Sequence, residues 1–346
     1  MSCVLIISPS GNFYGSEQVL YDYLYQTKGS IDLAVPKGSL FLRKLRESTM
    51  GVKLKPYNEK KLVRFYAGVF FNLLRGKYEI VYLNEAGHIR YIAILANLFP
   101  IVKFMVHVRL LEDTDAYRWK HARSKNMIVL AISQYIGSFL PVRSHLLYDC
   151  YQFSDRSVSD GQSRLEVLRI AIIGRITRTK GVGRLPEIVK YIDSINEQGR
   201  YEFYLYGEVS FDLIGDPLID QLRSFSNVRF MGFEEDQDLL YRSVDCVMHL
   251  STEEGLGRIY FEAIDRFKPF IGFKAGGIAE IGSITQLDEF LVDLKEEDMA
   301  IGIYSRLDTV RSYYSKAVSL MAEKKEIACK LFGIKRYNSL LSKLLT

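Results

Sequence analysis

The segment 251–263 holds the residues best suited to chemistry. Gly255 and Gly257 bracket Leu256 directly before an amphipathic helical stretch. Glu254 stands just ahead of them. Glycines let backbone N–H groups approach a ligand, and the start of a helix attracts an anion. The segment therefore predicts a turn that faces a ligand at the end of a strand.

Glu262 lies within the same helical stretch, among apolar neighbours. A charge in such company costs free energy unless it has a partner. Two interpretations stay open: the carboxylate accepts hydrogen bonds from sugar hydroxyls, or it lies on the solvated face of an amphipathic helix.

A second loop, at 174–181, concentrates positive charge. Arg175, Arg178 and Lys180 fall within six residues, directly after an apolar run. Arginine offers a planar fork to phosphate oxygens, and lysine offers a mobile point charge. A solvated basic turn is the alternative, but the Gly-Val-Gly sequence and the helical pattern that follow favour a phosphate site.

Two further glycine turns follow predicted strands. The first, at 8–17, contains Gly15, and the second contains Gly276 and Gly277. Each is either a plain turn or an anion site. Neither has the G-x-G-x-x-G or Walker pattern, so neither motif supports a dinucleotide or P-loop site. His107, at the end of another predicted strand, is a candidate for the same edge of a sheet.

Short apolar runs alternate with helical patterns through both halves of the chain, which is typical of βαβ units and parallel sheets. The predicted strands of the first half span 4–8, 31–35, 52–54, 80–83, 103–107, 128–131 and 145–148. Those of the second half span 167–173, 201–206, 227–231, 246–250 and 270–273. A polar segment at 154–163 predicts a linker between two α/β domains. In open parallel sheets, ligands bind at the carboxyl ends of the strands, where the candidate loops lie.

Together these motifs resemble the retaining glycosyltransferases of family four, which have the GT-B fold. The family pattern G-R-x4-K-G is present at 174–181, E-x7-E at 254–262 and G-G-x-x-E at 276–280. The sequence at 14–17 is similar to the family's G-G-x-E with its first glycine lost. The resemblance implies an α/β fold with two Rossmann-like parallel-sheet domains facing across a cleft.

The resemblance also implies a donor site that needs no metal. Arg175 and Lys180 are expected to hold the diphosphate of a nucleotide-sugar, and Gly15 to lie near the phosphates from the opposite domain. The two cations neutralise the diphosphate, so no metal or other cofactor is expected. The D-x-D sequence at 113–115 is the metal signature of a different glycosyltransferase fold, and we interpret it as the start of a helix.

Further roles follow from the same resemblance. Glu262 is expected to bond the nucleotide ribose, and Glu254 to hold the sugar ring together with the backbone of 255–257. His107 occupies the place of the family's sugar-contacting histidine. His107 and Glu254 are therefore the candidate catalytic residues, although a lone histidine is more often structural.

The implied activity is transfer of a sugar from a nucleoside-diphosphate sugar to a saccharide or polyprenyl-linked saccharide, as in surface polysaccharide biosynthesis. The family is thought to retain the anomeric configuration, with the leaving phosphate helping to deprotonate the acceptor. Two alternatives stay open: a sugar-nucleotide epimerase of the same fold, and a non-catalytic partner protein that kept the fold. The pattern is interrupted at Tyr14, which replaces a glycine, and at Lys268, which replaces the usual glycine before Pro269.

Length and composition agree with two domains. The chain has 346 residues, 48% of them apolar, and a net charge of +5. We expect an acceptor-binding domain at 1–153, a donor domain at 164–325, and a C-terminal helix at 326–346 that packs back on the first domain. The modest charge and the lack of a known module disfavour nucleic-acid binding. Four scattered cysteines do not indicate a disulfide framework, and the cytoplasm is the expected compartment.

Positive charge is concentrated at 36–80, a stretch that contains eleven cationic residues and three acidic ones, a local net charge of +8. Aromatic residues interleave with the cations. A basic, aromatic helix suits an anionic membrane surface, so we predict peripheral contact with the inner face of the cell membrane. The alternative is that this helix only packs on the sheet. The apolar stretch 91–108 approaches the length of a membrane span, but Asn97, Pro100 and Lys103 interrupt it and predict a helix, a turn and a strand.

Overall fold

The computed structural model describes residues 4–27, 30–48, 50–157, 163–295 and 298–345. The chain divides into two compact units, one formed by 1–152 with 331–346 and the other by 153–330. Part of the predicted linker, 158–162, lies outside the described residues. Its described beginning is bound within the second unit, because the backbone N–H and the hydroxyl of Ser154 both donate to Asp265.

The first unit is built on a parallel sheet of seven strands in the order β3-β2-β1-β4-β5-β6-β7. Its strands are β1 (Val4–Ile7), β2 (Ile31–Pro36), β3 (Lys53–Tyr57), β4 (Ile80–Leu83), β5 (Lys103–Val108), β6 (Met127–Ala131) and β7 (His145–Leu146). Every residue of β1, β2 and β4 is buried. Apolar runs covered on both faces are what a parallel sheet between helices requires.

The helices of the first unit cover this sheet. They are α1 (Gly15–Gln26), α2 (Leu40–Glu47), α3 (Leu62–Leu74), α4 (Ile89–Leu98) and α5 (Gln134–Phe139), with α13 (Ile334–Leu344) joining from the end of the chain. Tyr337 and Leu341 of α13 belong to the same buried cluster as Val19 and Tyr23 of α1. The carboxyl-terminal helix therefore completes the core of the first unit.

The second unit contains a parallel sheet of six strands in the order β10-β9-β8-β11-β12-β13. Its strands are β8 (Leu168–Ile173), β9 (Tyr201–Tyr206), β10 (Val228–Gly232), β11 (Cys246–His249), β12 (Phe270–Phe273) and β13 (Leu291–Val292). The helices are α6 (Leu185–Ser194), α7 (Pro217–Ser224), α8 (Gln237–Ser243), α9 (Arg258–Asp265), α10 (Gly276–Thr285), α11 (Met299–Ser312) and α12 (Tyr314–Phe332).

The apolar stretch that approached the length of a membrane span has a clear structure. The apolar stretch at 91–108 forms α4 and β5, joined by a turn, as predicted. Among the helices that the structure describes, none is long and apolar enough to cross a membrane. β13, a strand of only two residues, was not predicted.

Candidate functional site

The order of strands in the second sheet locates a binding edge. The chain runs outward from β8 to β9 and β10, and then returns to the other side of β8 as β11 and β12. Ligands of doubly wound sheets bind where the strand order reverses, at the carboxyl ends of the two central strands. In this unit those strands are β8 and β11, and the loops at 174–181 and 250–257 follow them. The two charged loops singled out in the sequence therefore start from neighbouring strands.

Lys180 and Glu254 connect the two loops. The Nζ atom of Lys180 donates to Oε2 of Glu254 at 2.6 Å. The hydroxyl of Ser251 adds a second link, because it donates to the carbonyl of Thr179 at 3.0 Å. The side chain of Lys180 is 43% exposed to solvent, and the side chain of Glu254 is 21% exposed. The lysine thus retains access to solvent while a carboxylate holds its ammonium group in place.

The Glu254 carboxylate lies among groups that favour its charge. Burial by itself raises the pKa of Glu254, but the adjacent His249 and Lys180 side chains outweigh it and hold the pKa at about 2. His249 Nε2 lies 3.4 Å from Oε2 of Glu254, an electrostatic contact that is longer than a normal hydrogen bond. Glu254 is therefore ionised at neutral pH. It can accept hydrogen bonds there but has no proton to donate.

Close backbone approach fixes the position of these loops. Gly181 has a φ of +79°, and a Cβ atom at this position would lie 2.0 Å from the carbonyl oxygen of Leu250. At Gly277 a Cβ atom would lie 2.3 Å from the carbonyl oxygen of Gly255. The backbone N–H of Gly277 also donates to the carbonyl of Glu254. Glycine is required at both positions because any side chain would push the Glu254 loop away from its neighbours.

The three cations of the 174–181 loop have different surroundings. Arg178 forms an ion pair with Asp216, at 2.6 Å, and so is directed toward α7. Lys180 pairs with Glu254. Arg175 is exposed at the end of β8, and we find no ion pair for it in the described part of the chain. Of the two residues expected to hold a diphosphate, one is thus held by the site and the other is open to solvent.

Glu262 lies in the second turn of α9, where its Oε2 accepts a hydrogen bond from the hydroxyl of Tyr241 at 3.2 Å. It is half-buried. Sequence reasoning left open whether this glutamate is a solvated surface residue. The contact with Tyr241 gives it the partner that a carboxylate among apolar neighbours requires.

The candidate residues of the first unit also lie at the carboxyl edge of their sheet. Gly15 is the first residue of α1, in the loop after β1. The turn is fixed by Glu17, whose carboxylate accepts from the backbone N–H of Tyr14 at 3.0 Å. Glu17, in the first turn of α1, thus caps the amino-terminal end of its own helix.

His107 is completely buried near the end of β5. Its Nδ1 atom is 3.2 Å from the Tyr82 hydroxyl, and its Nε2 atom is 3.0 Å from the carbonyl of Leu147. Burial holds the pKa of His107 well below its usual range, so the ring is neutral. Both ring nitrogens are engaged inside the first unit, and a sugar-contacting role for His107 stays a prediction.

The D-x-D sequence lies apart from these contacts. Leu111–Thr114 form a short 3₁₀ helix that ends within the D-x-D sequence, with Asp115 as its C-cap, so the interpretation of 113–115 as the start of a helix was wrong. Asp113 forms an ion pair with Arg118, and its carbonyl accepts from the Trp119 indole at 2.7 Å. Within the described ranges no group of histidine, cysteine or acidic residues has an arrangement that could hold a metal ion.

Two residues of this edge were missed in the sequence. His249 is the last residue of β11 and contacts Glu254, and Arg184 donates to the carbonyl of Leu250 at 3.1 Å. His249 had a usable signal, since it closes a strand that leads directly into the E-x7-E loop. Arg184 had none, because its partner is a backbone carbonyl on another strand's loop.

Comparison with known proteins bears on the second unit first. The family model described as "Glycosyl transferases group 1" matches residues 168–308. All of the matched residues lie in the second unit. The enzyme class predicted from the motifs, a glycosyltransferase, is thereby confirmed. A search of curated proteins found no significant match.

Solved structures resemble the whole chain. HepE (Alr3699) of Anabaena, in complex with UDP and glucose, superposes with a TM-score of 0.78 at 19% identity, covering 100% of this chain and 99% of its own. A glycosyltransferase from Rickettsia africae ESF-5 has a TM-score of 0.77 at 14% identity, covering 99% and 97%. The lipopolysaccharide outer core galactosyltransferase WaaB has a TM-score of 0.70 at 14% identity, covering 99% and 100%. At such identities the likeness concerns the fold, and the predicted GT-B class with two Rossmann-like domains is confirmed.

Proposed function

We propose that this protein is a retaining glycosyltransferase that moves a sugar from a nucleoside-diphosphate sugar to a hydroxyl group of a saccharide or lipid-linked saccharide. The observation that carries the proposal is the contact between Lys180 and Glu254 at the carboxyl ends of β8 and β11. It joins a cation suited to a diphosphate and a carboxylate suited to sugar hydroxyls, in a domain of the matching family.

The donor's diphosphate is assigned to Arg175 and Lys180. Charge develops on the diphosphate as the bond to the sugar breaks, and fixed cations stabilise it without metal. Lys180 suits this task because Glu254 already orients its ammonium group. The neighbour HepE was solved with UDP and with UDP-glucose. A uridine nucleotide is therefore the first donor to test.

Glu254 is assigned to the sugar ring. Its low pKa keeps it ionised, so it acts as a hydrogen-bond acceptor and orients hydroxyl groups. Glu262 is assigned to the ribose, with Tyr241 holding one of its carboxylate oxygens. We assign no protein base to the reaction: the leaving phosphate takes the acceptor's proton on the same face of the sugar, which retains the anomeric configuration.

The test is a thermal-shift panel of UDP-, GDP-, ADP- and dTDP-sugars, followed by product analysis. A donor at 100 times its dissociation constant should add about 2.7 kcal/mol to the stability of the folded protein. With donor and acceptor together, the anomeric proton coupling of the product should match that of the donor. Conversion of the donor alone into a new nucleotide-sugar would instead identify an epimerase, and no stabilisation by any donor would favour a non-catalytic protein.

A second element of the proposal is the acceptor's location on an anionic membrane surface. The outward face of α3 carries an apolar stripe formed by Val63, Ala67, Phe71 and Leu74, all exposed, whereas Tyr66, Val69 and Leu73 face the core. Val63 is 73% exposed and Phe71 56%. A helix with one buried apolar face and a second exposed one suits a surface that is itself apolar below its headgroups.

Cations flank this stripe. Lys60, Lys61 and Arg64 lie exposed at its start and Arg75 at its end. Each cation near an anionic leaflet contributes about 1 kcal/mol. The exposed apolar stripe of α3 and its flanking cations support the predicted membrane contact at 36–80. They also support the proposal that the protein acts at the inner face of the cell membrane.

Vesicle sedimentation tests the membrane contact. We expect binding to phosphatidylserine-containing vesicles at low salt, and a large loss in the variant Lys60→Glu/Lys61→Glu/Arg64→Glu. The matched control, Lys335→Glu/Arg336→Glu/Lys343→Glu, makes the same charge change on α13. Equal recovery with neutral and anionic vesicles, or equal loss in the control, would reject the contact and favour an acceptor in solution.

A further inference from the structure

A pocket of about 590 Å³ opens in the second unit, away from the Lys180–Glu254 contact. Its walls come from α8, from the turn between α9 and β12, from the start of α12 and from the segment at 156–157. These segments lie at the amino ends of β11 and β12, the opposite edge of the sheet from the candidate donor site. The volume falls in the range of cavities that hold small organic ligands.

Positive charge dominates this pocket. Arg156, Arg242, Arg266 and Lys268 line it, and Asp238 is the single acidic residue among the described residues that do so. The formal balance of the lining is therefore +3. Such a cavity favours an anion of more than one charge.

Asp238 organises two of the cations. Its two carboxylate oxygens lie 2.7 and 2.8 Å from a single nitrogen of Arg156, Nη2, and one of them lies 3.3 Å from Arg266. The Arg266 guanidinium also stacks on the ring of Tyr241, 4.6 Å from its centre. Of the residues that would meet a ligand, Arg266 is thus held in place before the ligand arrives, a condition that favours tight binding of phosphate by arginine.

Lys268 and Arg242 carry the remaining charge. Lys268 Nζ donates to the carbonyl of Val244 at 2.7 Å, and neither Lys268 nor Arg242 forms an ion pair within the described ranges. Burial lowers the pKa of Lys268. An anion beside this ammonium group would offset the cost of its burial.

The turn that supplies Lys268 is also where this chain departs from the glycosyltransferase pattern. Lys268 stands where glycine usually precedes the proline. Phe267 has a φ of +56°, a left-handed conformation that bulky residues rarely adopt. Its ring lines the pocket and lies 4.7 Å from the ammonium group of Lys325. The left-handed residue ends α9, because the N–H of Lys268 donates back to the carbonyl of Ala263, and this turn places Lys268 at the pocket.

We propose that this pocket binds an organic phosphate, a phosphate monoester or diphosphate, at a second site that adjoins the donor site through Tyr241, which lines the pocket and contacts Glu262. The phosphate would contact Arg242, Arg266 and Lys268. The uncharged body would lie against Phe267 and Tyr314.

Isothermal titration with inorganic pyrophosphate tests the site in the full-length chain. The Lys180→Ala background weakens the donor site, so that the remaining binding reports the pocket. There Arg242→Glu combined with Lys268→Gln should weaken pyrophosphate binding by about tenfold or more. The glutamine amide would still offer a donor to the Val244 carbonyl, and Arg242 is exposed, so the variant should fold.

The control is Lys190→Gln, an exposed cation on α6 that does not line the pocket, and it should leave the affinity unchanged. Glucose 6-phosphate should bind more tightly than inorganic phosphate, because its body has a surface to contact. Unchanged affinity in the double variant, or equal loss in the control, would overturn the proposal. So would the absence of binding at millimolar pyrophosphate.

Discussion

Two glutamates at the carboxyl edges of the two sheets have opposite electrostatic surroundings. Glu254 lies beside Lys180 and His249, which hold its pKa at about 2 against the effect of burial. Glu85 lies two residues after β4, and burial followed by the charge of Glu17 raises its pKa to about 7. At neutral pH the same topology therefore presents an ionised carboxylate in one unit and one that is about half protonated in the other.

The hydrogen bond from Ser16 only partly offsets this rise in the pKa of Glu85. The Ser16 hydroxyl donates toward Oε1 of Glu85, which lowers the pKa of that carboxyl, and it also donates toward Oε2 of Glu17 at 3.1 Å. Burial and the nearby charge of Glu17 outweigh this bond. The comparison shows that the ends of strands determine where polar side chains lie, whereas the neighbouring charges and burial determine their protonation state.

A buried ion pair joins residues at the carboxyl edge of the first unit's sheet. Removing it should give the largest loss of stability among the variants considered. Arg109 and Asp149 are both buried and bond at 2.8 Å. Arg109→Met leaves Asp149 without its cation, and we expect a loss of about 3 to 5 kcal/mol. Chemical denaturation followed by the fluorescence of Trp119, the chain's single tryptophan and a buried residue of this unit, measures it.

The matched control for that variant is Arg178→Met. The ion pair of Arg178 with Asp216 is exposed to solvent, so its loss should change stability far less than the loss of the buried pair. If the two variants lose equal stability, the claim that the first unit's edge depends on a buried pair is wrong.

The two glutamates should give opposite pH dependences. The pKa of Glu254 is lowered by folding, so its stabilisation is present above about pH 4.5 and fades as the pH falls toward 2. Glu254→Gln should thus lose about 1 to 3 kcal/mol at neutral pH, and this deficit should shrink in acid. Calorimetry from pH 7 to pH 3 measures the trend.

Glu85 should behave in the reverse manner. Its pKa is raised by folding to about 7, so the unfolded state ionises first and the folded state is penalised as the pH rises from about 4.5 to 7. Glu85→Gln should gain stability relative to the parent over that interval, as reported by Trp119 fluorescence. Parallel pH profiles for the two variants would contradict the proposed contrast between the two edges.

The smallest expected effect concerns Glu262. Tyr241→Phe removes the hydroxyl that orients its carboxylate, and only part of that bond's free energy, about 0.5 to 1.5 kcal/mol, should appear in nucleotide binding. Binding of the nucleoside diphosphate should weaken by no more than that amount, whereas Glu262→Ala should weaken it further. If Glu262→Ala binds nucleotide as the parent does, the glutamate is a surface residue of α9.

Features that are local in sequence were predictable. The strands were predictable because each buried apolar run is adjacent in the chain to the turns at its two ends. The loops at 174–181 and 250–257 were predictable because their glycines and charged residues lie within a few positions of each other. Contacts between distant residues were not. Arg109 and Asp149 are 40 positions apart and Tyr241 and Glu262 are 21 apart, so no spacing rule connects them.

His107 shows the limit most directly. Its place at the end of a strand was read correctly, but strand position does not reveal which nitrogens are already engaged. Tyr82 on the neighbouring strand and the backbone of Leu147 hold both of them. Burial of this kind depends on the packed neighbours of β5, which sequence separation conceals.

The central claim is that Lys180 holds the donor diphosphate, and the most direct test is the affinity of a nucleoside diphosphate, UDP first, measured by isothermal titration. Lys180→Ala should weaken binding about 10- to 150-fold, the loss of one charge-assisted bond of about 1.5 to 3 kcal/mol. Arg178→Ala, on the same loop but paired with Asp216, should weaken it by less than about fivefold. Equal affinity in Lys180→Ala and the parent, for a nucleotide that the parent binds, would contradict the account.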